Sequence, residues 1–338
     1  MVRIGIVGIG FMGMIHYLAA KRIKGGKVVA IATRDPKKQA GDWTSIQGNF
    51  GPRGEQEDLS GIKVYDDAKK LIADDEIDLV HVCLPNHLHT DITAAALASG
   101  KNVLVEKPIA LSLEDADKML AAAQEAGKQL FVGHVLPFMP DFGLAYRTIV
   151  GGEYGKVRAM TLRRHISPPD WSAELLDPSL SGGPIVDLHI HDTHFVALAC
   201  GVPEAVYSRG LVEKDSVNYV STQYLYGDGG PQVVATSGAI AAKSRPFTHG
   251  LEVYLERATL QYEAGGPMTI FTEEEAVTPD IPAADPIDGF RDEIQTAVDA
   301  VTSGAPSPIL DGAMARNALA LCLAERDSVL SGKMVETG

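Results

Sequence analysis

Three short patterns in this chain carry residue types that do chemistry. Gly8-x-Gly10-x-x-Gly13 follows an apolar run at the start of the chain. Glycines at that spacing let a backbone turn tightly and approach a pyrophosphate. Glu106-Lys107-Pro108 ends the apolar run Val103-Leu104-Val105 with an ammonium group. Asp187 and His191 stand four residues apart, so a helix there turns a carboxylate and an imidazole the same way. These groups suit the oxidation of an alcohol. A hydride leaves for a cofactor, and the hydroxyl proton needs a base that works near the ambient pH.

The elements that position these groups follow a regular order. Residues 2–8 predict a buried strand and Met14–Ile23 a helix, with the glycines between them. That context makes the glycines a dinucleotide site, with the phosphates at the helix N-terminus. Gly8, Gly10, Phe11, Met12 and Gly13 are its residues. Val28–Thr33 predicts the second strand. An acid for the ribose 2′-hydroxyl is usual at its end, but Thr33 and Arg34 stand there. A hydroxyl with a guanidinium suits a 2′-phosphate better, so NADP is expected over NAD. Asp35 before Pro36 predicts a helix cap, not that missing acid. Trp43–Ser60 predicts a loop or broken helix, and Asp66–Ala73 a short helix. Leu79–Leu84 predicts a strand closed by Pro85-Asn86, with His89 in the next helix. Asn102–Val105 predicts the strand that delivers Lys107, and Pro108 stops it. Lys107 thus stands at the carboxyl end of a parallel strand, where open α/β sheets bind ligands. A helix over Ser112–Ala126 and a strand over Leu130–Gly133 complete a dinucleotide-binding domain of residues 1–133.

The pattern changes after His134. Strands are predicted at Val157–Arg164, Ala205–Leu211, Val217–Tyr226, Val233–Ile240, Leu251–Leu255, Thr259–Tyr262 and Met268–Phe271. Short turns such as Gly227-Asp228-Gly229-Gly230 join them, which indicates an antiparallel sheet. Helices are predicted at Ile185–Cys200, Ile287–Thr302 and Gly312–Leu330. Residues 134–338 therefore form an α+β domain beside the α/β one. Arg163, Arg164 and His165 end a strand, and strand neighbours point to opposite faces. Trp171, in a Pro-rich loop after that strand, has the shape either to stack on a ligand ring or simply to pack. His189, His191 and His194 suggest a metal set, but a helix turns His189 away from His191, so no metal is expected.

Composition narrows the partners. The 338 residues carry a net charge of −14, which repels phosphate backbones and argues against nucleic acid. Apolar runs are too short to span a bilayer. Three widely spaced cysteines, Cys83, Cys200 and Cys322, fit a reducing, cytoplasmic compartment.

The chain resembles the Gfo/Idh/MocA oxidoreductases. The resemblance rests on Gly8-x-Gly10-x-x-Gly13, Pro85-Asn86-x-x-His89, Glu106-Lys107-Pro108 and Gly182-Gly183-x-x-x-Asp187-x-x-x-His191. It implies an N-terminal Rossmann domain and a C-terminal domain on a large, open, mostly antiparallel β-sheet. It implies NAD or NADP, a sugar, cyclitol or polyol substrate, and a homodimer or homotetramer. Lys107, Asp187 and His191 become the catalytic residues, with His191 the acid/base and a cis bond between Lys107 and Pro108. Leu84, Pro85, Asn86, His89, Glu106 and Lys107 join the cofactor residues. His134, Arg164, His165 and Trp171 join the substrate residues. Two positions depart from the pattern: His189, where glycine is frequent, and the run His134-Val135-Leu136-Pro137-Phe138, where a polar and basic pair is frequent. A lyase or glycosidase that oxidises transiently with tightly held NAD is the alternative reading of the same residues.

Overall fold

β1 (Val2–Val7) is buried along almost its whole length, as a central parallel strand must be. In the computed structural model, which describes residues 1–48, 50–168, 177–281 and 285–337, it lies inside a six-stranded sheet. The other strands are β2 (Gly26–Ala32), β3 (Lys63–Tyr65), β4 (Leu79–Val82), β5 (Asn102–Glu106) and β6 (Leu130–Gly133). Their order is β3-β2-β1-β4-β5-β6, every pair parallel. The order reverses between β1 and β4, and ligands bind outside the strand ends at such a switch point. The predicted Rossmann fold is therefore present. The Trp43–Ser60 stretch is a loop, pinned by an isolated bridge between Asp42 and Gln56.

The chain divides into two compact units, Met1–Met139 with Ala283–Arg316, and Pro140–Pro282 with Asn317–Gly338. This differs from a single boundary after residue 133. The helix Pro286–Ser303 buries Ile287, Phe290, Ile294, Ala297 and Val298 and packs on the helix Phe11–Ala20 of the Rossmann unit. Full burial of each large apolar side chain contributes about 1.5–3 kcal/mol, enough to hold this distant segment to the first unit. Arg22 adds ion pairs to Asp285 and Asp288. Helical periodicity shows that a face is buried, but not against which partner.

The second unit holds β7 (Val157–His165), β8 (Ala205–Glu213), β9 (Ser216–Leu225), β10 (Gln232–Gly238), β11 (Thr248–Leu255), β12 (Thr259–Glu263), β13 (Thr269–Phe271), β14 (Ala276–Val277) and β15 (Val335–Glu336). They make one nine-stranded sheet in the order β14-β13-β12-β11-β7-β10-β9-β8-β15. Only the β7–β10 pair is parallel. One face alternates cleanly into the core through Met160, Leu162, Val233, Ala235, Leu251 and Val253. β3, β14 and β15 escape sequence reading because two or three residues carry no period. No helix among the described residues is long and apolar enough to cross a membrane.

One predicted helix is in fact two. Residues 185–200 divide into Gly183–Asp187 and Ile190–Cys200. The Pro184 carbonyl accepts both the Leu188 and the His189 N–H groups, at 3.1 and 2.9 Å, which ends the first helix. Asp187 and His191 consequently do not share one continuous helical face, and the four-residue spacing argument fails in that form.

Candidate active site

The turn after β1 has the shape that a dinucleotide requires. Gly8 has φ +93°, and a Cβ there would lie 2.5 Å from the Cys83 carbonyl. A Cβ on Gly13 would lie 1.9 Å from the Gly8 carbonyl oxygen, so only glycine permits this packing of helix on strand. At Gly10, by contrast, a Cβ would meet nothing within 4 Å. The backbone there faces open space, and no side chain caps the helix Phe11–Ala20. Its first N–H groups are oriented to receive an anion. The residues present therefore fit a pyrophosphate. Phe11 instead packs edge-on against Phe50, 4.8 Å away, while Met12 is half-buried behind it.

The end of β2 presents Thr33, half-buried, and Arg34, exposed. Asp35 accepts the Lys37 N–H at 2.9 Å and has Pro36 at the first helical position. It is the cap that its sequence predicts, which leaves the strand end without an acid for a ribose hydroxyl. The Thr33 hydroxyl accepts the Asp35 N–H at 3.4 Å.

Lys107 follows β5 directly and is half-buried. Its bond to Pro108 is cis, as the resemblance implies. β5 pairs with β4, and β4 with β1, so Lys107 and the glycine turn belong to one row of strand ends. His89 is fully buried, with Nδ1 2.8 Å from the Pro108 carbonyl and Nε2 2.9 Å from the Leu84 carbonyl. It is a brace between the ends of β4 and β5 rather than a surface offered to a cofactor. Leu84, Pro85 and Asn86 are half-buried in the loop that it steadies. Glu106 is likewise turned inward. One carboxylate oxygen lies 2.8 Å from His16 Nε2, and the other accepts the Lys107 N–H at 3.2 Å.

In the second unit, Gly182 and Gly183 both have positive φ, +81° and +71°. A Cβ on Gly183 would lie 2.6 Å from the Ser216 hydroxyl, so the pair lets the helix Gly183–Asp187 sit close to β9. Asp187 closes that helix and His191 lies in the first turn of the next; both are half-buried. Between them His189 is fully buried. Its Nε2 lies 3.0 Å from Glu325 and 3.3 Å from the Tyr224 hydroxyl. Burial alone would lower its pKa, but the charge and hydrogen bond of Glu325, aided by Asp192, hold it above the ordinary imidazole value. His189 thus anchors the helix junction and is no substrate contact. It also has no shared geometry with a metal set. Among the described residues, the three potential ligands that converge are His16, Glu106 and Glu293.

The remaining predicted substrate residues separate. Arg164 is buried and forks onto Asp192, Nε and Nη2 each 2.9 Å from a carboxylate oxygen. It fastens the helix Ile190–Cys200 to β7, so its guanidinium is committed within the fold. Arg163 points to the other face and pairs with Glu263. His165 is half-buried and stacked on Tyr219, with ring centroids 5.8 Å apart. Burial, and then the Arg245 charge, lower its pKa. His134 is buried just after β6. Trp171 lies outside the described residues. Sequence reading missed His16, His81, Glu293 and Glu325, which surround the candidate residues. His16, three residues past Gly13, is the one that a motif reader had the means to notice.

Comparison with known proteins identifies the family. Residues 2–134 match a family model described as "Oxidoreductase family, NAD-binding Rossmann fold", and residues 143–261 match the "GFO/IDH/MocA C-terminal domain". The chain is 26% identical over 310 residues to a D-xylose 1-dehydrogenase (NADP(+)) of Haloferax volcanii, covering 89% of each protein. It is 31% identical over 218 residues to a myo-inositol 2-dehydrogenase of Thermotoga maritima, covering 63% of this chain and 59% of that protein. An NAD-binding oxidoreductase from Klebsiella pneumoniae shares the fold, with a TM-score of 0.84 at 22% identity over 100% of this chain and 99% of the other. The two family models together span well over half of the sequence, and the chain belongs to the Gfo/Idh/MocA family of NAD-binding oxidoreductases.

Proposed function

We propose that this protein moves a hydride between a nicotinamide cofactor and a secondary alcohol or ketone of a sugar, cyclitol or related polyol. The observation that carries the reading is Lys107. It is half-buried at the carboxyl end of β5, two strands from the glycine turn after β1. Two strand spacings put it roughly 10 Å along the row from that turn. When bound, the nicotinamide supplies the two-electron acceptor. Lys107 donates a hydrogen bond to the reacting oxygen and stabilises negative charge on it. His191 takes the hydroxyl proton in oxidation and returns it in reduction. Asp187 accepts a hydrogen bond from a neighbouring hydroxyl. His165 and His134 belong to the substrate side, while Arg164, with Asp192, holds the helix that carries His191.

The substrate class is supported by the names of the two relatives, a D-xylose and a myo-inositol dehydrogenase. NADP is preferred because Thr33 and Arg34 follow β2 directly and Asp35 is occupied as a cap. The protein works as a homodimer or homotetramer through its nine-stranded sheet. Among apolar residues of its strands, Val217 is buried, Tyr219 and Val234 are half-buried and Tyr254 is exposed. Reduction of NADP and of NAD should be followed with D-xylose, myo-inositol, other cyclitols and simple glycosides. Turnover with a member of this panel is expected. If both cofactors bind but no sugar or polyol is oxidised, the reading fails.

A further inference from the structure

Behind Lys107 lies a buried cluster that the proposed chemistry does not use. Glu293, on the helix Pro286–Ser303, is fully buried, and no N–H or hydroxyl group donates to either carboxyl oxygen. Oxygens of Glu293 and Glu106 and a ring nitrogen of His16 all lie within 4.8 Å of one another. Gly133 makes the approach possible. A Cβ there would meet Glu293 Oε1 at 3.2 Å and Glu106 Oε1 at 3.3 Å.

Two carboxylates this close and this dry do not both ionise. Their surroundings decide which keeps the proton. Glu106 has two donors, His16 Nε2 at 2.8 Å and the Lys107 N–H at 3.2 Å. Glu293 has none. Of the other groups around the pair, neither His81 nor Cys83 adds a compensating charge, and the His16 ring nitrogen that faces the pair is bonded to Glu106. Burial, then the His16 charge, push the His81 imidazole far down. Burial, then Glu106 and Glu293, push the Cys83 thiol far up. Both are therefore neutral. His16, hydrogen-bonded to His81 Nδ1 at 3.1 Å, is the one imidazole facing the carboxyls.

We propose that Glu293 is a positioning residue for Lys107: held un-ionised, it turns its proton toward Glu106 and keeps that carboxylate fixed on the Lys107 backbone N–H. Burial, then the Glu106 charge, raise Glu293 well above the usual carboxyl range, in agreement. The native state then holds one proton that the unfolded chain releases above pH ~4.3. Stability from this group is present at low pH and falls as pH rises, by about tenfold in the folding constant per pH unit until Glu293 itself ionises.

The inference rests on the reading of Lys107 as catalytic, but its test does not need turnover. Hydrogen exchange of the peptide Glu106–Ser112 and denaturant midpoints from pH 5 to 9 should be measured for wild type, Glu293→Gln and Glu293→Leu. Glutamine copies the un-ionised acid and its donor. Expected are wild-type exchange in Glu293→Gln, roughly tenfold faster exchange in Glu293→Leu, and loss of the one-proton slope in both variants. Unchanged exchange in Glu293→Leu, or the same pH slope in wild type and Glu293→Gln, would overturn the proposal. So would a stoichiometric divalent metal ion in purified wild type that Glu293→Gln lacks, since a metal needs the ionised acid. A Lys107→Met variant that keeps its turnover counts against the function, and leaves the exchange result standing.

Discussion

Lys107 and His191 are held in place by the same pair of groups, used in opposite senses. In the Rossmann unit the carboxylate is local: Glu106 precedes Lys107, and the imidazole, His16, arrives from the first helix. In the second unit the imidazole is local: His189 stands two residues before His191, and the carboxylate, Glu325, arrives from the helix Gly312–Ser331. The first pair sits at the end of a strand whose register the sheet already sets. The second sits at a break between two helices, where the backbone bonds that would otherwise fix direction are interrupted. A strand end needs its side-chain pair for fine placement, whereas a helix junction needs it to exist at all. Losing the remote partner should therefore cost the first unit mainly function and the second mainly stability.

The largest effect expected is on turnover. Lys107→Met should lower kcat by about 10³-fold or more through loss of charge at the reacting oxygen, with cofactor Kd within a few-fold by titration calorimetry. His191→Asn should lower kcat by about 10²–10⁴-fold and remove one limb of the pH–rate profile. Near-wild-type turnover in either variant would end the assignment of that residue. Next comes the junction itself. Glu325→Gln leaves His189 buried without its partner charge and should destabilise by about 3–5 kcal/mol in denaturant unfolding. The His189 pKa is raised in the folded state, so the pair's contribution is complete below the unfolded imidazole value, near 6.5. It is lost as pH rises through the folded value, and the penalty should shrink accordingly. A penalty that grows with pH would contradict a charged His189. The smallest effect concerns the cofactor. Arg34→Ala should weaken NADP binding about tenfold and hardly touch NAD. Wild-type protein that binds NAD more tightly would remove the NADP preference but not the site.

The two regions also differed in how much the sequence disclosed. The Rossmann unit was readable nearly strand by strand, because parallel buried strands appear as apolar runs and its glycines form a local pattern, Gly13 packing on the Gly8 carbonyl five residues back. The same holds for the Asp35 cap, satisfied two residues on. What escaped was long-range. The helix Pro286–Ser303 shows its apolar face but not that the face belongs to the first unit. At the helix break, His189 is paired with Glu325, which no local pattern connects to it. Arg164 read as a substrate ligand from its place in the strand-end trio Arg163-Arg164-His165; its partner Asp192 becomes visible only once helix and strand are packed.

The central claim is net hydride transfer at a hydroxyl held by Lys107. It is tested most directly by following reduced-nicotinamide absorbance while the consumption of a panel substrate is measured in parallel, for wild type and Lys107→Met. Reduced cofactor that accumulates in step with substrate lost in the wild type, and hardly at all in the variant, is the predicted result. Substrate consumed with no accumulation of reduced cofactor would contradict it and identify a transient oxidation, as in a lyase or glycosidase.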